Sequence, residues 1–298
     1  MRRKAKRNTK IAGSRDIRIL MFLWRWKVAT THTLVVRYFP DTNGSTAYRR
    51  LYRLAEGGFI CSRCDIGGRK YVWQLDKKGY EIVRRYLPLE LEQEGYKSEH
   101  VGHDLVASAF HLGGFLTGVP DNVELFSEQQ LRRLRKEDYP FYVSPYMRYR
   151  PDGYTCIKSE NSYKIFTFET ELNIKTRDRY GECYRTSQDE DQYVIQAALW
   201  LVGSKKEAAR LKKILDVYRE YRRIVESNKF FILKDFLKHG WDAREVYEQS
   251  TVNQIVGTLP TNKVDTPSNL VCSHVLLNTT KTLHRSKTYH QYEKGDFC

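Results

Sequence analysis

Apolar positions recur at helical spacing through the first quarter of the chain. In Asp16–Lys27, the residues Ile17, Leu20, Met21, Leu23 and Trp24 predict an amphipathic helix, with Ser14 placed to cap its first turn. Thr31–Phe39 reads as a second, short helix, and Pro40, Asp41, Asn43 and Gly44 supply the turn after it. Ser45 caps a third helix in which Ala47, Leu51 and Leu54 face a core and which stops at Gly57 and Gly58. Two β-prone runs follow, Phe59–Cys64 and Arg69–Leu75. Between them lies Asp65-Ile66-Gly67-Gly68, the composition of a hairpin turn. A helix over Asp76–Tyr86 closes this segment.

The pattern then changes. Leu87–Ser98 holds Pro88, Gly95, Glu90, Glu92 and Glu94, with Glu99 just after, and marks a boundary between two domains. His100–Leu116 is again helical, with Val101, Leu105, Ala109 and Leu112 on one face and His100 and His103, beside Asp104, on another. Strands are predicted at Val123–Phe126, Tyr154–Lys158 and Lys164–Lys175, the last two joined by a turn at Ser159–Ser162. The apolar run from Val194 to Val202 fits a buried inner strand. Lys205–Val225 reads as a long amphipathic helix and Lys229–Leu233 as a further strand. From about Thr258 periodicity fades into a Thr-, Asn-, Lys- and Ser-rich tail. The expected fold class is therefore α/β (α+β). It comprises a basic arm (1–14), a winged helix-turn-helix (15–88), a mixed sheet flanked by helices (99–257) and a tail (258–298).

Charge narrows the partners. Lys and Arg total 51 against 36 Asp and Glu in 298 residues, a formal net charge of +15. Such an excess points to a polyanion, either nucleic acid or an acidic surface. No apolar run approaches the ~18 residues of a membrane span, so no membrane insertion is expected. Six cysteines do not make a disulfide scaffold, which places the chain in a reducing cytoplasm. Cys61 and Cys64 form a lone pair, two ligands short of a structural zinc site. A Gly-rich phosphate loop ending in Lys-Ser or Lys-Thr is absent, which argues against nucleotide hydrolysis by that route.

Three helices followed by a hairpin is the order in which a third helix enters the DNA major groove. Thr46, Tyr48, Arg49, Arg50 and Arg53 on that helix are the candidate DNA contacts, joined by Arg69 and Lys70 on the hairpin. The competing interpretation is a fold of this order used for protein contacts, its arginines a solvated face. The basic arm and the total charge favour double-stranded DNA.

Candidate chemistry lies in Lys164–Lys175. Strand alternation puts Phe166, Phe168, Leu172 and Ile174 on one face, and Glu169, Glu171, Asn173 and Lys175 on the other. Carboxylates two residues apart lie about 7 Å apart at the backbone and can converge on one hard cation. Asp152, in a Pro-Asp-Gly turn before the neighbouring strand, offers a third oxygen donor. Asp152, Glu169 and Glu171 are thus the candidate ligands for Mg²⁺ or Mn²⁺. Such an ion can polarise a phosphodiester and activate water. Lys175 is placed to stabilise developing negative charge. Arg177 and Arg179, with Arg185, follow at once and can hold a phosphate backbone. The bland alternative is a solvated strand face with a Glu–Lys pair.

The order helix, strand, strand with Pro-Asp, strand with Glu-x-Glu and Lys, helix, strand resembles the PD-(D/E)xK restriction-endonuclease-like fold. Glu169-Thr170-Glu171 with Lys175 four positions on departs from the usual Glu-x-Lys spacing. With the N-terminal helices and the His100/His103-Asp104 helix, Ser14–Val202 resembles the replication-relaxation family and its MobC-type relaxases. That resemblance implies metal-dependent nicking of one strand at a plasmid or integrative-element transfer origin, during mobilisation or conjugation. Asp152, Glu169 and Glu171 would be on the metal, with Lys175 as the catalytic lysine and His103 as a further catalytic candidate. Other transfer proteins, of a relaxosome or coupling complex, would be its partners. A relaxase built on a His-x-His metal pair is excluded, since no two of the His residues at 32, 100, 103, 111, 239, 274, 284 and 290 are separated by one position. Among 21 tyrosines, Tyr180 is a nucleophile candidate by proximity alone. The rival function is a non-catalytic DNA-binding regulator on a degenerate nuclease fold. Charge by itself also leaves open an RNA-binding or membrane-surface protein.

Overall fold

The first apolar stripe folds into α1 (Ser14–Trp26), which buries Ile19, Leu20, Phe22, Leu23, Trp24 and Trp26. Ser14, Arg15 and Arg18 are left exposed on its other side. Gly13, at φ 85°, caps it with no side-chain hydrogen bond, so Ser14 is the first helical residue and not the cap. The computed structural model describes residues 10–11, 13–64, 71–88, 95–143, 150–184, 195–218 and 225–257. Most of the basic arm, the 65–68 turn with Arg69 and Lys70, the centre of the acidic boundary, Arg185, Val194 and the tail from 258 lie outside the described residues.

A short strand that periodicity alone does not reveal, β1 (Val28–Thr30), follows α1. Then come α2 (Thr31–Tyr38), α3 (Gly44–Glu56), β2 (Ile60–Cys64), β3 (Tyr71–Leu75) and α4 (Lys77–Val83). The Thr30 hydroxyl accepts the Thr33 amide at 3.1 Å and starts α2. Asn43, not Ser45, caps α3: its side-chain oxygen accepts the Ser45 amide at 2.9 Å. β3 is the middle strand of an antiparallel sheet of order β1-β3-β2. Ala47, Leu51 and Leu54 of α3 are buried as the pattern required.

The second sheet has the order β4-β5-β6-β7-β8. Its strands are β4 (Val123–Ser127), β5 (Gly153–Ser159), β6 (Ser162–Glu171), β7 (Ile195–Val202) and β8 (Val225–Ile232). The pairs β4–β5 and β5–β6 are antiparallel; β6–β7 and β7–β8 are parallel. The helices around it are α5 (Val101–Leu112), α6 (Glu128–Arg133), α7 (Arg177–Tyr184), α8 (Lys205–Val217), α9 (Leu233–His239) and α10 (Val252–Val256). α5 lays Phe110 against Phe168, Phe231 and Phe236, and His111 flat on Phe168 at 4.8 Å. α8 ends at Val217, earlier than the amphipathic pattern implied, and the last strand begins at Val225 instead of Lys229. Among the described residues no helix is long and apolar enough to cross a membrane.

The expected boundary near Leu87–Ser98 does not separate the two sheets' cores in space. Trp26 meets His111 edge-on at 5.1 Å, and Arg37 donates to the carbonyls of Phe115 and Leu116 at 2.9 and 2.6 Å. The guanidinium of Arg25 donates to the Leu125 carbonyl on β4. Buried apolar side chains therefore run without a break from α1 into the second sheet.

Candidate functional site

Pro151 explains the architecture of the site. The β5–β6 ladder ends at the pair Gly153–Phe168, and continuing its register would set Pro151 opposite Thr170. Proline has no N–H to give, so side chains complete the pairing. Asp152 Oδ2 accepts the Thr170 amide at 2.7 Å, and His103 Nε2 donates to the Thr170 carbonyl at 3.0 Å. His103, on the first turn of α5, thereby lies 4.0 Å from Asp152 and 3.6 Å from Asp104.

Gly153 keeps this corner tight. A Cβ there would come within 2.1 Å of the His111 ring, which is fully buried. Glu128, first residue of α6, donates its amide to the Asp152 carbonyl at 2.9 Å. Its position follows from the Ser127–Gln130 capping box. Lys27, between α1 and β1, places its ammonium 2.8 Å from Glu128 and 3.6 Å from Asp104. Lys27, Asp104, Glu128 and Asp152 line one small pocket where the α1 end meets the second sheet.

The electrostatics follow from this packing. Burial pulls the His103 imidazole down, but the Asp104 hydrogen bond, the Asp152 charge and the Thr170 carbonyl outweigh it and push its pKa up to about 9. Burial pushes Asp152 up to about 6, against the opposing pull of His103. Asp104 and Glu128 also suffer burial, yet each is held below the ordinary carboxylate range: Asp104 chiefly by His103 and Lys27, Glu128 chiefly by Lys27. This corner thus sets one imidazolium and one ammonium among three carboxyl groups. Such a cluster of perturbed groups in a cleft is a common mark of function.

The remaining predicted residues fall into separate groups. Glu169 and Glu171 lie on the β6 face opposite Phe168, as alternation requires, but at 4 % and 5 % exposure they are buried and not solvated. β6 ends at Glu171, so Lys175 is on the following loop and not on the strand. Its ammonium still reaches Glu171, at 2.9 Å. Asp152 is turned toward Thr170 and His103. Among the described residues no three His, Cys, Asp or Glu side chains are gathered to hold a metal ion. Tyr180 is 2 % exposed and its hydroxyl accepts the Lys175 amide at 3.0 Å, so it braces the loop. Arg177 and Arg179 are exposed on α7.

On α3, Thr46, Tyr48, Arg49 and Arg53 are exposed. Arg50 is not a free contact: it pairs with Asp16, which is 2 % exposed, and donates to the Lys10 carbonyl at 3.1 Å. The two arginines are therefore expected to behave differently. Arg50→Ala strands a buried carboxylate and should cost about 1.5–3 kcal/mol of stability, the worth of a hydrogen bond to a charged group. Arg53→Ala removes an exposed side chain and should leave the melting curve in place. Thermal unfolding checks both; equal stability losses would remove the distinction.

Sequence reasoning left out Lys27 and Glu128. Glu128 had a local signal, the Ser-Glu-Gln-Gln capping box. Lys27 had none, because its partners lie far along the chain. No family model, curated protein or solved structure matches the chain.

Proposed function

We propose that this protein is a cytoplasmic DNA-processing enzyme, a relaxase-like nuclease that nicks one strand of duplex DNA. The α1–β3 segment, with its order of helices and three-stranded sheet, would act as a winged helix-turn-helix that lays α3 in the major groove. The second sheet would act as a PD-(D/E)xK-type nuclease core. One observation carries the assignment. Pro151-Asp152-Gly153 and Glu169-Thr170-Glu171 meet at one end of adjacent antiparallel strands, with Lys175 on Glu171 and the basic N-terminal segment packed against that end. A transfer origin as target, and other transfer proteins as partners, belong to the same proposal.

The donors are hard carboxylate oxygens, the type that suits Mg²⁺ or Mn²⁺. Asp152, Glu169 and Glu171 would hold the ion, which when bound supplies Lewis-acid polarisation of a phosphodiester oxygen. As they stand, Asp152 is engaged by Thr170 and Glu171 by Lys175, so binding would exchange these contacts. His103 holds a proton between Asp104 and Asp152, and Arg177 and Arg179 offer charge to the strand. Incubation with supercoiled origin plasmid is expected to give open circles with Mg²⁺ or Mn²⁺ and none with chelator. Absence of open circles with every metal, alongside retardation of the same DNA, would instead establish the second assignment, a non-catalytic DNA-binding regulator. The Asp152 carboxylate, already taken up as the strand-completing acceptor of the Thr170 amide, favours that alternative.

A further inference from the structure

We infer that Lys27 is a positioning residue, through which the DNA-binding segment sets the Asp152–Thr170 corner of the second sheet; its effect on nicking rests on the nuclease assignment above. Lys27 stands one residue past α1 with φ 62° and ψ −41°, a conformation rarely adopted by a side-chain-bearing residue. Such an outlier persists only where its surroundings over-determine it. Here they do. The Ser127 hydroxyl donates to the Arg25 carbonyl at 2.9 Å, Trp26 rests on His111, and Val28 pairs with Gln74. The strained backbone delivers an ammonium into the pocket of the other sheet.

The contacts from that ammonium are continuous. Lys27 holds Glu128 at 2.8 Å and Asp104 at 3.6 Å. Glu128 gives its amide to the Asp152 carbonyl, and Asp104 faces His103. His103 and Asp152 together hold the two polar backbone groups of Thr170. At the other end of α1, Asp16 is tied to Arg50 of α3, the helix assigned to the major groove. One rigid helix therefore joins the DNA-facing surface to the carboxyl cluster. Without the ammonium, Asp104 keeps His103 and Glu128 keeps Arg132, but the two carboxylates, 10 % and 17 % exposed, lose the cation that stands between them beside Asp152.

Amide hydrogen exchange tests this on the full chain. Lys27→Met is expected to speed exchange at Thr170 by about tenfold or more, while α8 amides keep their rates, the pattern of a local opening. Lys27→Arg should restore the wild-type rate, and Glu128→Gln, which loosens the same contact from the other side, should repeat the acceleration if Lys27→Met fails to fold. Thr170 exchange unchanged in the folded variants overturns the inference. On DNA, Lys27→Met is expected to bind the duplex as wild type does and to nick about 30-fold more slowly at saturation, within the range for loss of a supporting contact. Wild-type nicking by Lys27→Met also overturns it. A wild-type protein inert with every metal refutes the nuclease assignment alone, and Thr170 exchange still decides the role of Lys27.

Discussion

On the proposed nuclease assignment, Asp152→Asn is expected to stop strand nicking while leaving duplex binding intact. The substitution is close to isosteric and keeps an oxygen to accept the Thr170 amide, which Asp152 holds at 2.7 Å. The strand end, the Glu128 amide contact to the residue 152 carbonyl and the His111 packing under Gly153 should all survive. What is lost is a negative charge beside the His103 imidazolium, at the point where the Pro-Asp-Gly turn meets Glu169-Thr170-Glu171. A preorganised charge at a reacting phosphoryl centre is worth on the order of 10³-fold in rate, and a loss of that size is expected for Asp152→Asn. Glu169→Ala and Lys175→Ala should also lose nicking, without loss of binding. Conversion of supercoiled to open-circular plasmid, read beside anisotropy on the same DNA, separates the two effects. Nicking by Asp152→Asn within tenfold of wild type would place the chemistry elsewhere.

The residues of this corner were unequally legible in the sequence. Asp152, Glu169 and Glu171 stand out because Pro-Asp-Gly marks a strand start and alternation aligns the two glutamates. Alternation does not say what covers a face, so the same pattern that paired Glu169 with Glu171 also suggested a solvated surface. The chain instead buries both. The strand's end was misjudged for a related reason. Leu172 and Ile174 continue the apolar period, but ladder pairing to β7 stops at Glu171–Val202 and β6 stops with it. Short local signals fared similarly in the N-terminal segment. Asn43 and Ser45 are both good caps, and the observed start at Gly44 selects Asn43. β1 is three residues long and exists because β3 pairs with it. Lys27 was invisible for the plainest reason: Glu128 lies 101 positions away, and only the packing of α1 on the second sheet brings them together. Helix and strand order depends on neighbours in sequence, whereas the pocket depends on neighbours in space.

That packing centres on His111, and its buried ring is expected to cost the protein stability in mild acid. The ring is fully buried, stacked on Phe168 and edge-on to Trp26. Its Nε2 contacts the Tyr154 carbonyl and the Thr155 hydroxyl at 3.1 Å each, and Nδ1 has no partner among the described residues. Burial, reinforced by the nearby Arg25 charge and only partly opposed by the Tyr154 carbonyl, pulls its pKa down to about 3. The unfolded chain protonates the same ring near 6.5. Between these values the unfolded state binds the extra proton, so folding stability is whole above about pH 6.5 and falls as pH drops toward 3. Each pH unit in that window costs roughly 1.4 kcal/mol through the ring; Asp152, pushed up to about 6, takes up its proton more readily in the folded state and offsets part of that loss below pH 6. Asp104 and Glu128, held low by their cationic neighbours, add acid sensitivity of their own at lower pH. A His111→Gln variant isolates the ring, because Asp104, Glu128 and Asp152 titrate in it as before. Urea unfolding from pH 7.5 to 4.5 should show wild-type stability falling more steeply than that of His111→Gln, whatever the offset between them at neutral pH. Parallel pH profiles would mean that the ring takes up its proton in the folded state, and that the seam between α1, α5 and the second sheet opens to water.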